Sequence, residues 1–204
     1  MARAMDVLGD RWTLLLIREL LLGPKRFKDL QARLPAMGAN RLSERLAMLV
    51  ENGVCCPTTH AAPAYELTAL GEELRQPVIA LGLWGLRLPV DERIDPASAR
   101  AELVALCLTA VSDPAAAAGM QEVIEFQVGA ETFHMQIDDG QVRAHSGPAT
   151  EPPGLQLQCD LATFMALALR QITPSAAIRE GRASLLLGNQ RRLTQVFKVL
   201  SHQL

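Results

Sequence analysis

Long hydrophobic runs are missing from this 204-residue sequence. The longest, Leu14 to Ile17 and Leu185 to Leu187, fall far short of the ~20 residues a membrane-spanning helix needs, so no membrane contact is expected. An apolar leader is missing too, because Asp6 and Asp10 interrupt the N-terminus before one can form. Both absences point to a cytoplasmic protein. Cysteine is sparse, and Cys55, Cys56, Cys107 and Cys159 form neither a CxxC pair nor a Cys/His set at zinc spacing. That excludes a zinc ribbon or finger, leaves no metal ligands to name and implies free thiols. His60, His134, His145 and His202 are scattered, with no partner visible in the sequence. The one Cys/His juxtaposition is Cys55, Cys56 and His60, and it amounts to no convincing pair of base and nucleophile. Catalytic residues are therefore unknown at this stage, and no cofactor is implied.

Enough is present to build a core. Hydrophobic residues make up 49% of the chain and charged residues 21%, which argues against wholesale disorder. The length suits two domains. The net charge of −2 hides an asymmetry: residues 1–90 hold 11 Lys and Arg against 9 Asp and Glu, and residues 91–204 hold 9 against 13.

Residues 4–22 read as a helical stretch, with Leu8, Trp12, Leu15 and Leu16 at helical spacing and Arg11, Arg18 and Glu19 on an exposed side. Gly9 bounds a shorter first helix, and Gly23-Pro24 stops the second. A short helix follows over Arg26 to Leu34, then a turn over residues 35–39. A third helix runs from about Asn40 to Glu51 with Leu42, Leu46, Leu49 and Val50 inward. Two helices joined by a tight turn, the second polar at its start, make the helix-turn-helix plan. The early side chains of such a second helix meet base edges in the major groove, where Arg and Asn suit bidentate reading of guanine and adenine. Residues 54–68 suit a β-hairpin wing. Thr68 then caps a helix, which Pro77 bends or restarts and which continues through Trp84 to Pro89.

Residues 90–100 read as a linker, charged and containing a proline, between a domain at 1–89 and another at 101–204. In the second domain a helix to Ala110 gives way to period-two alternation. Ile124, Phe126 and Val128 share one face of a strand, and Phe133, Met135 and Ile137 one face of the next, with His134 turned the other way. Asp139-Gly140 is a strong hairpin signal. Further strands over residues 141–147, 155–160 and 184–187 alternate with helices over 160–171, 174–181 and 190–200. The fold class is α+β: a winged helix-turn-helix followed by a small domain with an antiparallel sheet and helices packed over it.

The segments LGDRWTLLLIREL, RFKDLQ, LSERL and YELTALG together resemble the HxlR-type winged-helix regulators of bacteria, over about residues 2–88. The resemblance implies a homodimer that binds double-stranded operator DNA, with terminal helices making the dimer contact. The sequence departs from that pattern in having Gly38-Ala39 where a capping Ser and a Pro are usual. Its wing is nearly uncharged as well, with no Lys or Arg between Arg45 and Arg75. Residues 101–204 resemble the SCP2, or sterol-carrier-like, domain through the Asp139-Gly140 hairpin, the helix at 160–171 and AIREGRASLLLGNQRRLTQVFKVL. That likeness implies an apolar cavity for a hydrophobic small molecule.

The candidate DNA-binding residues are Lys25, Arg26, Lys28, Asn40, Arg41, Ser43 and Arg45. The candidate ligand-binding residues are Trp84, Phe126, Phe133, Met135, Phe164, Met165, Leu185 and Leu187. The leading expectation is a ligand-responsive transcriptional regulator. The alternative, motivated by the neutral wing, is a winged-helix scaffold that has lost DNA binding and serves as an enzyme or binding protein for a hydrophobic biosynthetic intermediate.

Overall fold

A computed structural model describes residues 1–58, 62–85, 87–89 and 100–200. His60, His202 and nearly all of the expected linker lie outside the described residues. The chain divides into two compact units, Met1–Gly85 and Leu86–Leu204.

The first unit opens with α1 (Ala2–Leu8) and α2 (Arg11–Leu20), separated at Gly9 and Asp10. Asp10 starts α2 by accepting a hydrogen bond from the Trp12 backbone N–H at 2.8 Å. Then come α3 (Phe27–Arg33), a 3-10 turn at Pro35–Met37 and α4 (Ala39–Glu51). The strands β1 (Cys55–Pro57) and β2 (Tyr65–Leu67) pair antiparallel, with Cys56 opposite Glu66. Thr68 caps α5 (Ala69–Glu72), accepting from the Gly71 N–H. The next helix, α6 (Arg75–Gly85), restarts with Pro77 in its first turn, where a missing N–H leaves no intrahelical bond unmade. The core is built from the apolar stripes of α2, α3 and α4: Leu16, Ile17, Leu20, Leu30, Leu42, Leu46 and Leu49 are all buried.

The second unit runs α7 (Ala101–Val111), α8 (Pro114–Ala117), β3 (Gln121–Val128), β4 (Glu131–Asp138), β5 (Gln141–Ser146) and β6 (Leu155–Cys159). It ends with α9 (Leu161–Ala168), α10 (Pro174–Arg179), β7 (Ala183–Leu187) and α11 (Gln190–Leu200). Asp139, at φ 42°, and Gly140, at φ 90°, make the tight turn between β4 and β5 that their sequence signals. The sheet order is β5-β4-β3-β6-β7. Here the expected antiparallel sheet needs correction, because β3 and β6 pair parallel and the sheet is mixed. Residues 147–154 make the crossover that this requires. Their segment is tied down where Ala149 N–H donates to Glu125 Oε2 at 3.1 Å and Gly154 N–H to Val123 O at 2.9 Å. Period-two alternation encodes which face a residue takes but not the direction of the strand, so this pairing was not legible in the sequence.

One sheet face packs under helices around an aromatic cluster. Phe126 stacks on Phe133 at 5.1 Å between ring centroids, and Phe164 of α9 meets both edge-on at 5.3 and 5.4 Å. Phe197 of α11 adds a fourth ring. The opposite face is polar, with Gln156, Glu125, His134 and His145 in one row across four strands. Truncating the central ring leaves a void that its neighbours fill only partly. Phe126→Ala is therefore expected to cost about 3–5 kcal/mol, measured by urea denaturation of the full chain. An unchanged midpoint would contradict a filled aromatic core.

Candidate nucleic-acid interface

Glu19 organises the interior of the first unit. The sequence reading put it on an exposed side, yet the structure buries it completely. Its carboxylate receives Arg18 at 2.7 Å and lies 3.6 Å from Arg33 Nη1, which links α2 to α3 by charge. Residues 12, 16 and 19 fall on one helical face, so the spacing did signal burial; the charge of the side chain masked it. A buried carboxylate survives only when it is paired, which makes Arg18 and Arg33 part of the fold rather than of the surface.

The orientation of α4 follows from its own stripe. Leu42, Leu46 and Leu49 are each about 1% exposed or less. That anchoring turns Asn40, Arg41, Ser43 and Glu44 to solvent, all in the first two turns. Val50 was expected inward but sits on the exposed side, because the stripe drifts away from it by the last turn. Gly38 precedes α4 at φ 73°, a left-handed conformation suited to glycine, and no side chain caps the helix. The first-turn N–H groups of α4 consequently remain available to an outside acceptor.

Not every expected DNA-contacting residue is presented outward. Arg26 and Lys28 are exposed at the start of α3. Lys25, by contrast, is buried. Its Nζ donates to Leu22 O at 3.2 Å and Gly23 O at 3.0 Å, closing the C-terminal end of α2. Its backbone also pairs with Tyr65, so the segment before α3 lies beside the wing. Arg45 turns inward as well, to within 3.7 Å of Asp10 Oδ2, the carboxylate that caps α2. Lys25 is thus a structural cation, Arg45 is half-buried beside Asp10, and the fully exposed members of the set are Arg26, Lys28, Asn40, Arg41 and Ser43. The wing strands carry no cation, as their sequence requires.

In the second unit, Phe126, Phe133, Met135 and Phe164 are completely buried and fill the core instead of lining a cavity. Met165 and Leu185 are half-buried, and Leu187 is exposed on the sheet-edge strand β7. Trp84 of α6 is exposed in the first unit, as is Leu81, and Leu88 is exposed at the start of the second. No group of three or more His, Cys, Asp or Glu among the described residues is placed to hold a metal ion. His134 and His145 face each other across β4 and β5 as stacked rings, 5.0 Å apart. The Cys55 thiol is pushed up to about 11, by burial first and then by its neighbour Cys56, and burial with the nearby Asp160 carboxylate pushes Cys159 up to about 11. Neither is a ready nucleophile near neutral pH.

The first unit is thus a helix-turn-helix with a two-stranded wing, and the second an α+β unit built on a mixed sheet. Residues 7–91 match the HxlR-like helix-turn-helix family, to which the chain belongs, and residues 103–200 match the SCP-2 sterol transfer family. YvaP of Bacillus subtilis, an uncharacterized HTH-type transcriptional regulator, is 35% identical over 98 residues, covering 46% of this chain and 86% of its own. The uncharacterized HTH-type transcriptional regulator Rv3095 of Mycobacterium tuberculosis is 38% identical over 87 residues, covering 41% of this chain and 54% of its own. The chain therefore spans about half the length of that mycobacterial relative. The crystal structure of quinone-bound YodB from B. subtilis aligns at 32% identity and a TM-score of 0.39, over 43% of this chain and 96% of that one. No described helix is long and apolar enough to cross a membrane.

Two outcomes check this geometry. Glu19→Ala strands Arg18 and Arg33 around an empty site and is expected to destabilise the chain by about 3–5 kcal/mol in urea titration. Alkylation with iodoacetamide at pH 8, read by peptide mass spectrometry, is expected to leave Cys55 and Cys159 unmodified in the folded chain. A raised thiol pKa means little thiolate there until the pH nears 11. Rapid labelling of Cys55 would contradict the packing of β1.

Proposed function

We propose that the chain is a transcriptional regulator that binds operator DNA as a homodimer, reading bases with the exposed start of α4. The observation that carries this reading is a recognition-type helix whose apolar stripe is locked inward while Asn40, Arg41 and Ser43 stand free in its first two turns. Arg41 suits guanine and Asn40 suits adenine, each by two hydrogen bonds to one base edge. Arg26, Lys28 and the uncapped first-turn amides of α4 are suited to phosphate oxygens. The family membership and the regulator relatives support the same assignment.

The dimer reading rests on apolar surface at the ends of the first unit. Helix α1 has no buried residue, and Met5 is exposed on it. Helix α6 exposes Leu81 and Trp84, with Leu88 just beyond it. Exposed large side chains concentrated on terminal helices fit a second copy of the same chain.

An effector for the second unit is the further element of the proposal. Its likeness to the SCP-2 sterol transfer family supports a hydrophobic ligand. The aromatic cluster is packed ring against ring, so such a ligand enters by parting helices from the sheet. A ligand coupled to that opening shifts the DNA equilibrium by its difference in affinity for the two states, and by no more. The absence of cations from the wing favours a second reading, a scaffold without DNA affinity that binds a hydrophobic molecule only.

Binding of the purified chain to a duplex from its own promoter region, across a salt series, separates the two readings. The regulator predicts saturable, sequence-selective binding. Arg41→Ala is expected to lose about 1–3 kcal/mol of discrimination at one base pair. Arg26→Ala and Lys28→Ala are each expected to weaken all duplexes alike and to flatten the salt slope by about 0.9. Absence of binding at low salt would leave the second reading standing. Trp84→Glu is expected to yield a monomer by light scattering and to lose operator affinity, whereas an unchanged dimer would remove α6 from the interface.

A further inference from the structure

Charge in the second unit is segregated. Residues 101–160 hold one Lys or Arg against nine Asp and Glu, whereas residues 161–200 hold six against one. The basic stretch borders an open groove of about 620 Å³, formed where α8, α10 and α11 meet. Gln190, Arg191, Thr194, Gln195 and Lys198 face it from α11, and Ser175 faces it from α10.

Three features of this groove point to one kind of ligand. Its lining contains two cations and no carboxylate, so its field is positive without local compensation. Neither Arg191 nor Lys198 has an ion-pair partner among the described residues, whereas the adjacent Arg192 is held by Glu122 at 2.6 Å. The lining is otherwise polar, with Ala116 and Val199 as its only apolar members, which disfavours a lipid tail. Arg191 and Lys198 stand two helical turns apart, about 10.5 Å along the axis, a span that two flexible cationic side chains close around an extended anion. Guanidinium offers phosphate a two-pronged fork and ammonium a point charge. The volume falls in the range of small-molecule sites, roughly 300–1,000 Å³.

We propose that this groove binds a phosphorylated small molecule, gripped at its phosphate by Arg191 and Lys198. The site is separate from the aromatic core, and it stands whether or not the first unit binds DNA. Charge-assisted contacts of this kind carry about tenfold in affinity each.

The test is isothermal titration of the full chain at low salt with inorganic pyrophosphate, ADP and, as the phosphate-free probe, adenosine. Both phosphate probes are expected to bind saturably at one site and adenosine not at all. Arg191→Gln and Lys198→Gln are each expected to weaken binding about tenfold, and the double variant to abolish it. Circular dichroism checks that each variant folds. Arg182→Gln removes a cation of the same basic stretch that lies outside the groove lining, and is expected to leave affinity unchanged. Three results would overturn the proposal: no saturable binding of either phosphate probe, equal affinity in the double variant, or an equal loss in Arg182→Gln. A double variant with a flattened salt slope on duplex DNA, in a chain that binds neither phosphate probe, would also overturn it, and would assign the groove to DNA phosphates instead.

Discussion

The leucine stripe of α4 is the constraint on which the rest of the first unit depends. With Leu42, Leu46 and Leu49 locked in the core, the helix has one rotational setting, and that setting decides which side chains meet solvent. The Glu19 carboxylate supports the arrangement from below, clamped by Arg18 of its own helix and Arg33 of α3. Asp10 caps α2 and also receives Arg45 from α4. Much of the positive charge of this unit thus holds the helices in place. Arg26 and Lys28 at the start of α3 and Arg41 at the start of α4 are among the cations left exposed.

That distribution shapes how affinity for a duplex would arise. Phosphate contacts supply most non-specific affinity, and they come from Lys, Arg and backbone amides. The wing lacks cations, Lys25 is buried, and the half-buried Arg45 lies beside the Asp10 carboxylate. On the proposed reading, sequence-independent affinity would be modest and specificity would rest on base contacts from α4. On the same reading dimerisation would supply the remaining affinity, since two half-sites bound together multiply what one cannot hold alone. The exposed apolar side chains of α6 are consistent with that need.

Local order was largely legible in the sequence. The break at Gly9, the third helix ending at Glu51, the cap at Thr68, the turn at Asp139-Gly140 and the final helix from Gln190 to Leu200 all carry short-range signals, and the structure has them. Long-range facts were not legible. The parallel pairing of β3 with β6 depends on where the chain goes after β5, which no periodicity records. The turn of Arg45 toward Asp10 joins residues far apart in the sequence, whereas Lys25 folds back on the nearby carbonyls of Leu22 and Gly23, a local contact that its charge masked. Phe126, Phe133 and Phe164 were candidates for a cavity wall because apolar side chains look alike whether they line a space or fill one. Only their ring contacts separate the two cases.

On the proposed reading the start of α4 meets the duplex. Hydrogen–deuterium exchange of the full chain, with and without its promoter duplex, tests it most directly. The first-turn amides of α4 have no intrahelical acceptor and no side-chain cap, so they exchange quickly in the free protein. Bound DNA is expected to slow exchange over residues 39–45 and to leave the aromatic core of the second unit unchanged. Protection that spares residues 39–45 while the duplex is demonstrably bound would contradict it.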